Sequence, residues 1–155
     1  MWTKHSNFEQ ATRSPLIIYN PKTRAAQKII SPTEFVDVFP TLTDLAQIVP
    51  PSNVDGTSLL PMMIGQQQSV KEFAVSQYPR NNKMGYSFRT AAHRYTLWIE
   101  KSKIGQKISS KDIVQEELFD YNSDPLETKN HIGIASYNKV YNDLKSKALS
   151  FLSPT

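Results

Sequence analysis

Lys4 and His5 place an ammonium and an imidazole on adjacent residues within Trp2-Thr3-Lys4-His5-Ser6-Asn7-Phe8-Glu9. A lysine brings a compact positive charge with three donors, and a histidine can bind a substrate or carry a proton near neutral pH. Read without context, this lysine is an ordinary surface residue and this histidine a hydrogen-bonded one, since lysine is almost never fully buried. A second set is Gln77, Tyr78 and Arg80, which lie after a predicted strand, where loop residues often face a site. Arg80 can hold an oxyanion through two parallel hydrogen bonds, or pin its loop through a salt bridge. Arg89 and Arg94 fall on polar strand faces and read as ion-paired surface residues. His93 and His131 have no metal-ligand spacing to each other or to a carboxylate cluster. The carboxylates of Asp120 and Asp124 lack the spacing of a calcium loop and read as part of a turn.

The elements that must hold these residues follow from hydrophobic periodicity. Leu16-Ile17-Ile18-Tyr19 is a short apolar run between Pro15 and Pro21, the pattern of a strand buried on both faces. Ser31-Pro32-Thr33-Glu34 reads as a capped helix start, with Ser31 as the cap and Glu34 completing a capping box. Phe35, Val38, Phe39, Leu42, Leu45 and Ala46 then recur at helical spacing, with Pro40 expected to kink or restart the helix. Residues 50–70 are punctuated by Pro50, Pro51, Asp55-Gly56, Pro61 and a glutamine tract, and read as a connector. From residue 71 the period changes to two. Strands are expected at Phe73–Gln77, Tyr86–Thr90, Arg94–Glu100 and Leu118–Tyr121, antiparallel because the links are short, with the middle pair as a hairpin. Lys101–Val114 reads as a loop. Tyr137, Val140, Tyr141, Leu144, Ala148, Phe151 and Leu152 form one stripe of a terminal helix. The fold class is therefore α+β: one strand and one helix, then a small antiparallel sheet of about four strands packed on a C-terminal helix.

Composition excludes several function classes. A chain of 155 residues, 39% hydrophobic and 21% charged, is large enough for a real core. Its 18 Lys and Arg against 14 Asp and Glu are spread along the chain. They form no basic stripe with interleaved aromatics, so no nucleic-acid partner is expected. There is no cysteine, so disulfides, thiol catalysis and cysteine metal sites are excluded from this segment. No apolar stretch approaches the roughly 20 residues of a membrane span.

Five stretches carry a resemblance. They are Trp2-Thr3-Lys4-His5-Ser6-Asn7-Phe8-Glu9 running to Pro15-Leu16-Ile17; Val36-Asp37-Val38-Phe39-Pro40-Thr41-Leu42 with Asp44-Leu45-Ala46; Ser76-Gln77-Tyr78-Pro79-Arg80; Met84-Gly85-Tyr86-Ser87-Phe88-Arg89-Thr90 with Arg94-Tyr95-Thr96; and Glu117-Leu118-Phe119-Asp120 with Ser123-Asp124-Pro125-Leu126. In order and spacing they resemble the C-terminal part of type I sulfatases of the alkaline phosphatase superfamily, most closely the iduronate-2-sulfatase-like branch. The resemblance implies that residues 1–49 end the catalytic α/β domain, 50–70 connect, and 71–155 form the C-terminal antiparallel-sheet subdomain. It implies a parent enzyme that hydrolyses sulfate esters, with a formylglycine and calcium as cofactors, in the periplasm, a secreted fluid or the lysosome.

The family's Cys-x-Pro-x-Arg or Ser-x-Pro-x-Arg nucleophile motif is absent here, as are its calcium ligands and the Asp-His pair that precedes the opening motif. The isolated chain is accordingly expected to be inactive. Its implied partners are the missing N-terminal sulfatase domain and a sulfated glycan. By the same resemblance Lys4 is the catalytic candidate, contacting the sulfate. His5, Gln77, Tyr78 and Arg80 are substrate-binding candidates, and no metal ligand lies in the segment. Two alternatives stay open: a fragment of a phosphonate or phosphodiester hydrolase of the same superfamily, and a non-catalytic structural or glycan-binding module.

Overall fold

The computed structural model describes residues 5–21 and 26–153. They group into two compact units. One combines the chain's start, up to Ser14, with everything from Val75 onward; the other is Pro15–Ala74.

The first unit is a four-stranded antiparallel sheet backed by a helix. Strands β1 (Ala74–Arg80), β2 (Lys83–Arg89), β3 (His93–Glu100) and β4 (Ile113–Asp120) lie in sequence order across the sheet. β2 pairs with β3 from Lys83 opposite Glu100 to Arg89 opposite Arg94. β3 pairs with β4 from His93 opposite Asp120, with a bulge between Trp98 and Ile99. The expected sheet is present, with shifted boundaries. β1 runs on through Tyr78 and Arg80, because Pro79 sits on an edge strand where its missing N–H is tolerated, and Asn81 adopts the positive φ of 53° that turns the chain. β4 begins five residues earlier than expected, since Gln115, Glu116 and Glu117 conceal its alternation. The rest of the expected loop at 101–114 holds two short 3-10 turns, Lys101–Lys103 and Ser110–Asp112.

Both faces of β3 are covered. Tyr95, Leu97 and Ile99 point to one face, where the helix α4 (Asn138–Phe151) packs with Leu144 and Ala148 buried. Tyr95 meets Tyr141 edge-on, and Phe88 meets Phe151 in the same manner. Glu116 ties the same interface, accepting hydrogen bonds from Tyr95, Tyr141 and Lys145. Arg94, Thr96 and Trp98 point to the other face, and residues 5–12, with the short helix α1 (Glu9–Thr12), lie over it. Trp98 lies against Gly85, its partner on β2; a Cβ there would come within 2.9 Å of the indole ring. Arg94 is therefore buried, not the surface residue expected, because the second sheet face is covered.

The second unit is built around helix α2 (Val38–Ala46), preceded by a 3-10 turn at Phe35–Asp37. The capping box is Glu34 with Asp37, three residues later than expected; the Ser31 hydroxyl donates to Ser69 instead. Pro40 is the third residue of α2, where a missing N–H loses no helical bond, so the helix needs no kink there. Asp37 is fully buried, and its carboxylate accepts from the N–H groups of Glu34 and Thr57 and from Lys71 Nζ. Thr41 donates to the Asp37 carbonyl and accepts from the Leu59 N–H, at the entry to helix α3 (Leu60–Met63). Gly56 lies so close to the Val36 carbonyl that any Cβ would collide with it. The Val-Asp-x-x-Pro-Thr stretch thus stitches residues 55–71 onto α2.

The expected strand Leu16–Tyr19 does not form. The segment is irregular, with Ile17 90% and Tyr19 86% exposed. A strand buried on both faces needs neighbours on either side, and the described residues provide none.

Candidate functional site

The face of the first unit that carries residues 5–12 also gathers most of the candidate residues. Ser76 Oγ donates to Asn7 Oδ1 at 3.2 Å, and Asn7 Nδ2 donates to the Gly85 carbonyl at 3.1 Å. These two bonds lay the opening segment along β1 and β2. The His5 and Tyr78 rings then meet with centroids 5.9 Å apart and planes tilted by 47°. By strand alternation Tyr78 and Arg80 share the face of Ser76, and Gln77 points to the opposite one. His5, Gln77 and Arg80 are exposed and Tyr78 is half-buried. The structure therefore brings His5 and Tyr78 together, puts Arg80 on their face, and separates Gln77 from them. All three candidates from β1 are strand residues, not the loop residues expected from the sequence. Lys4 lies outside the described residues.

The charged side chains of this face are mostly engaged with one another. Burial holds the Glu117 carboxyl above the usual range, with the Arg80 charge pulling the other way. Burial also opposes ionisation of Glu9, but the hydrogen bond and charge of Arg89 and the charges of Arg94 and Arg13 outweigh it, and its pKa lies below the ordinary value. Arg94 Nη2 donates to Glu9 at 2.7 Å and Arg89 Nε at 3.0 Å. Arg89 also stacks on Tyr121, 3.7 Å from the ring centroid. Arg94 and Arg89 are thus both paired with Glu9, while the side chains of His5 and Arg80 lie exposed. Sequence reasoning missed the Glu9–Arg94–Glu127 cluster. The available signal was the alternation of Arg94 with Thr96 and Trp98, a strand face too apolar for solvent.

Among the described residues no group of three or more His, Asp or Glu lies together as a metal site. His93 and Asp120 approach to 3.8 Å, and Asp120 serves its own turn, accepting from the Asn122 N–H and from Tyr137 OH.

A four-stranded antiparallel sheet with one face on a terminal helix and the other under the chain's opening segment defines an α+β sulfatase C-terminal subdomain. The family described as N-sulphoglucosamine sulphohydrolase, C-terminal, matches residues 1–152, and the chain belongs to it. Arylsulfatase K of Xenopus laevis is 30% identical over 131 residues, covering 84% of this chain and 24% of the relative. Iduronate 2-sulfatase of Homo sapiens is 29% identical over 192 residues, covering 83% of this chain and 34% of the relative. Among solved structures, a 2-O GAG sulfatase superposes with a TM-score of 0.58 at 28% identity, covering 74% of this chain and 23% of that one. The chain thus spans about a quarter to a third of the length of these curated relatives.

Proposed function

We propose that this chain is the C-terminal part of an enzyme that hydrolyses sulfate esters on a glycan, and that it supplies one wall of the substrate pocket. The observation that carries the reading is the meeting of His5 with Tyr78, two candidate stretches more than 70 residues apart, on one sheet face. The chain as a whole is similar to sulfatases, two of which are described as an iduronate 2-sulfatase and a 2-O GAG sulfatase. In this reading residues 1–49 complete the catalytic domain, 50–70 connect, and 71–155 form the subdomain.

A sulfate ester gains negative charge on its oxygens as the S–O bond breaks, and a fixed cation beside them lowers the barrier. Lys4 is assigned that contact. His5, Tyr78 and Arg80 are assigned to the glycan around the ester, and Gln77, on the opposite face of β1, is the least supported of the set. The nucleophile and metal belong to the upstream polypeptide: a formylglycine would supply the attacking oxygen, and calcium would hold the sulfate. The described residues offer no cluster of three or more His, Asp or Glu ligands to bind that calcium.

The test is Lys4→Ala in the polypeptide joined to its own upstream region. The expected loss in kcat/KM is on the order of 10²–10³ for both an aryl sulfate and a sulfated disaccharide, the scale of removing one transition-state donor. His5→Ala should lower kcat/KM for the disaccharide and spare the aryl sulfate. Wild-type rates for Lys4→Ala on both substrates would refute the assignment.

A further inference from the structure

Arg94, near the start of the inner strand β3, is 1% exposed, and every one of its five N–H donors has a partner. Nη1 donates to the Asn7 carbonyl and to Ser87 Oγ at 3.2 Å. Nη2 donates to Glu9 Oε2 at 2.7 Å and to Thr12 Oγ1 at 3.3 Å. Nε donates to Tyr121 OH at 2.7 Å and lies 2.6 Å from Glu127 Oε1. Glu127 closes the circuit: its other oxygen accepts the Glu9 backbone N–H at 2.7 Å, and Oε1 accepts from Tyr121 OH. Glu127 holds this place with a positive φ of 56°, a conformation that few non-glycine residues adopt.

Three of the guanidinium's partners, Asn7, Glu9 and Thr12, belong to the opening segment; the others belong to β2 and to the stretch that follows β4. One side chain therefore cross-links residues 7–12 to the sheet. Those residues have little regular structure of their own, a single helical turn at Glu9–Thr12. Their placement depends on side-chain bonds. A buried ion cluster is a poor way to add stability, because an apolar core of equal volume does as well. It is a good way to set register, because a planar fork with five fixed donors accepts one arrangement of acceptors.

We propose that Arg94, held between Glu9 and Glu127, is a positioning residue that fixes the register of residues 5–12 on the sheet and so sets where the Lys4–His5 pair meets an anionic ester. The inference rests on the proposed roles of that pair, Lys4 at the sulfate and His5 at the glycan around it. Arg94 itself touches no substrate. It acts from two to five residues further along the chain than the pair, through Asn7 and Glu9, in the way that a bolt through a hinge plate sets the position of the latch.

The test uses the polypeptide with its upstream region and three variants: Arg94→Lys, which keeps the charge and loses the fork, Glu127→Gln, and Lys4→Ala as the reference. Hydrogen exchange is followed by mass spectrometry, and kcat and KM are measured with an aryl sulfate. For Arg94→Lys, exchange should speed up in peptides covering residues 5–12 while β2 and β3 stay protected. Turnover should fall by about 10²-fold with KM nearly unchanged, the scale expected when a reacting group is misplaced by about 1 Å. Glu127→Gln should show the same pattern more weakly, and it carries the test if Arg94→Lys fails to fold. Unchanged exchange over 5–12 in a folded variant overturns the proposal. So does faster exchange over the whole sheet with turnover per folded molecule intact, since that is a structural role only. If Lys4→Ala turns over like the wild type, the sulfate reading itself fails, and the exchange data then report separately on register.

Discussion

Asp37 shows how a residue that looks chemical can be wholly structural. Its carboxylate is completely buried, accepts two backbone N–H groups and meets Lys71 Nζ at 2.7 Å. A buried carboxylate with that many donors is an anchor; nothing is left over to bind a ligand. Asp37→Ala strands two backbone donors and leaves Lys71 with Glu34 as its one carboxylate partner, and should destabilise the Pro15–Ala74 unit by on the order of 3 kcal/mol. The check is hydrogen exchange over residues 34–59, which should lose protection while β3 keeps it. Glu9 behaves differently because its partners are cations. Its pKa is depressed in the folded chain, so its contribution is fully present above the ordinary glutamate value of 4.5 and is lost as the pH falls through the lower folded value. Residues 8–13 should therefore keep constant protection from neutral pH down to about 4.5, once the intrinsic rate is corrected, and loosen below it. Loosening between pH 5 and 7 would mean that another group, a histidine or the raised Glu117 carboxyl, controls the segment in place of Glu9.

At the level of elements, the sheet and its helix were legible because they follow periodicity. Leu144 and Ala148 lie where the stripe from Tyr137 to Leu152 placed them, against the face of Tyr95 and Leu97. Leu144 is 3% exposed, and Leu144→Ala should cost roughly 2–5 kcal/mol in urea unfolding of the sheet unit, followed by Trp98 fluorescence. A loss under about 0.5 kcal/mol would place this side chain at the surface. What the sequence hid was anything set by a partner distant in the chain. Glu116 and Glu117 broke the apolar alternation of β4, and only the fold shows that Tyr95, Tyr141 and Lys145 converge on Glu116. Ser31-Pro32-Thr33-Glu34 fits a capping box locally, yet Glu34 caps with Asp37 because Asp37 is fixed by Thr57 and Lys71 from later in the chain. The site divides in the same way. His5 was singled out beside Lys4 and Tyr78 for its place after a predicted strand, and their rings do meet; no local pattern could show that residue 94 would hold the segment that carries residue 5.

For the whole molecule, the two units differ in how well they bury apolar surface. The sheet unit encloses Phe88, Tyr95, Leu97, Ile99 and Leu118 almost completely. Residues 15–74 leave Leu16, Ile17, Tyr19, Phe35, Phe39, Leu42, Ile48 and Val49 exposed, with Phe35 at 78%. So many large exposed apolar side chains on 60 residues are the composition of a surface that is covered by a partner. The family relatives are three to four times as long as this chain, which is where a covering partner would come from. The 155-residue chain alone should therefore self-associate at micromolar concentration and turn over no aryl sulfate, even with calcium added. Joined to its upstream region, it should run as a single species, and Ile17 and Phe35 should become protected from surface labelling. Light scattering and the sulfate-release assay on both forms decide the matter. A monodisperse, freely soluble 155-residue chain would mean that this apolar face is covered from within. Turnover above a heat-killed control would mean that the segment holds a nucleophile of its own.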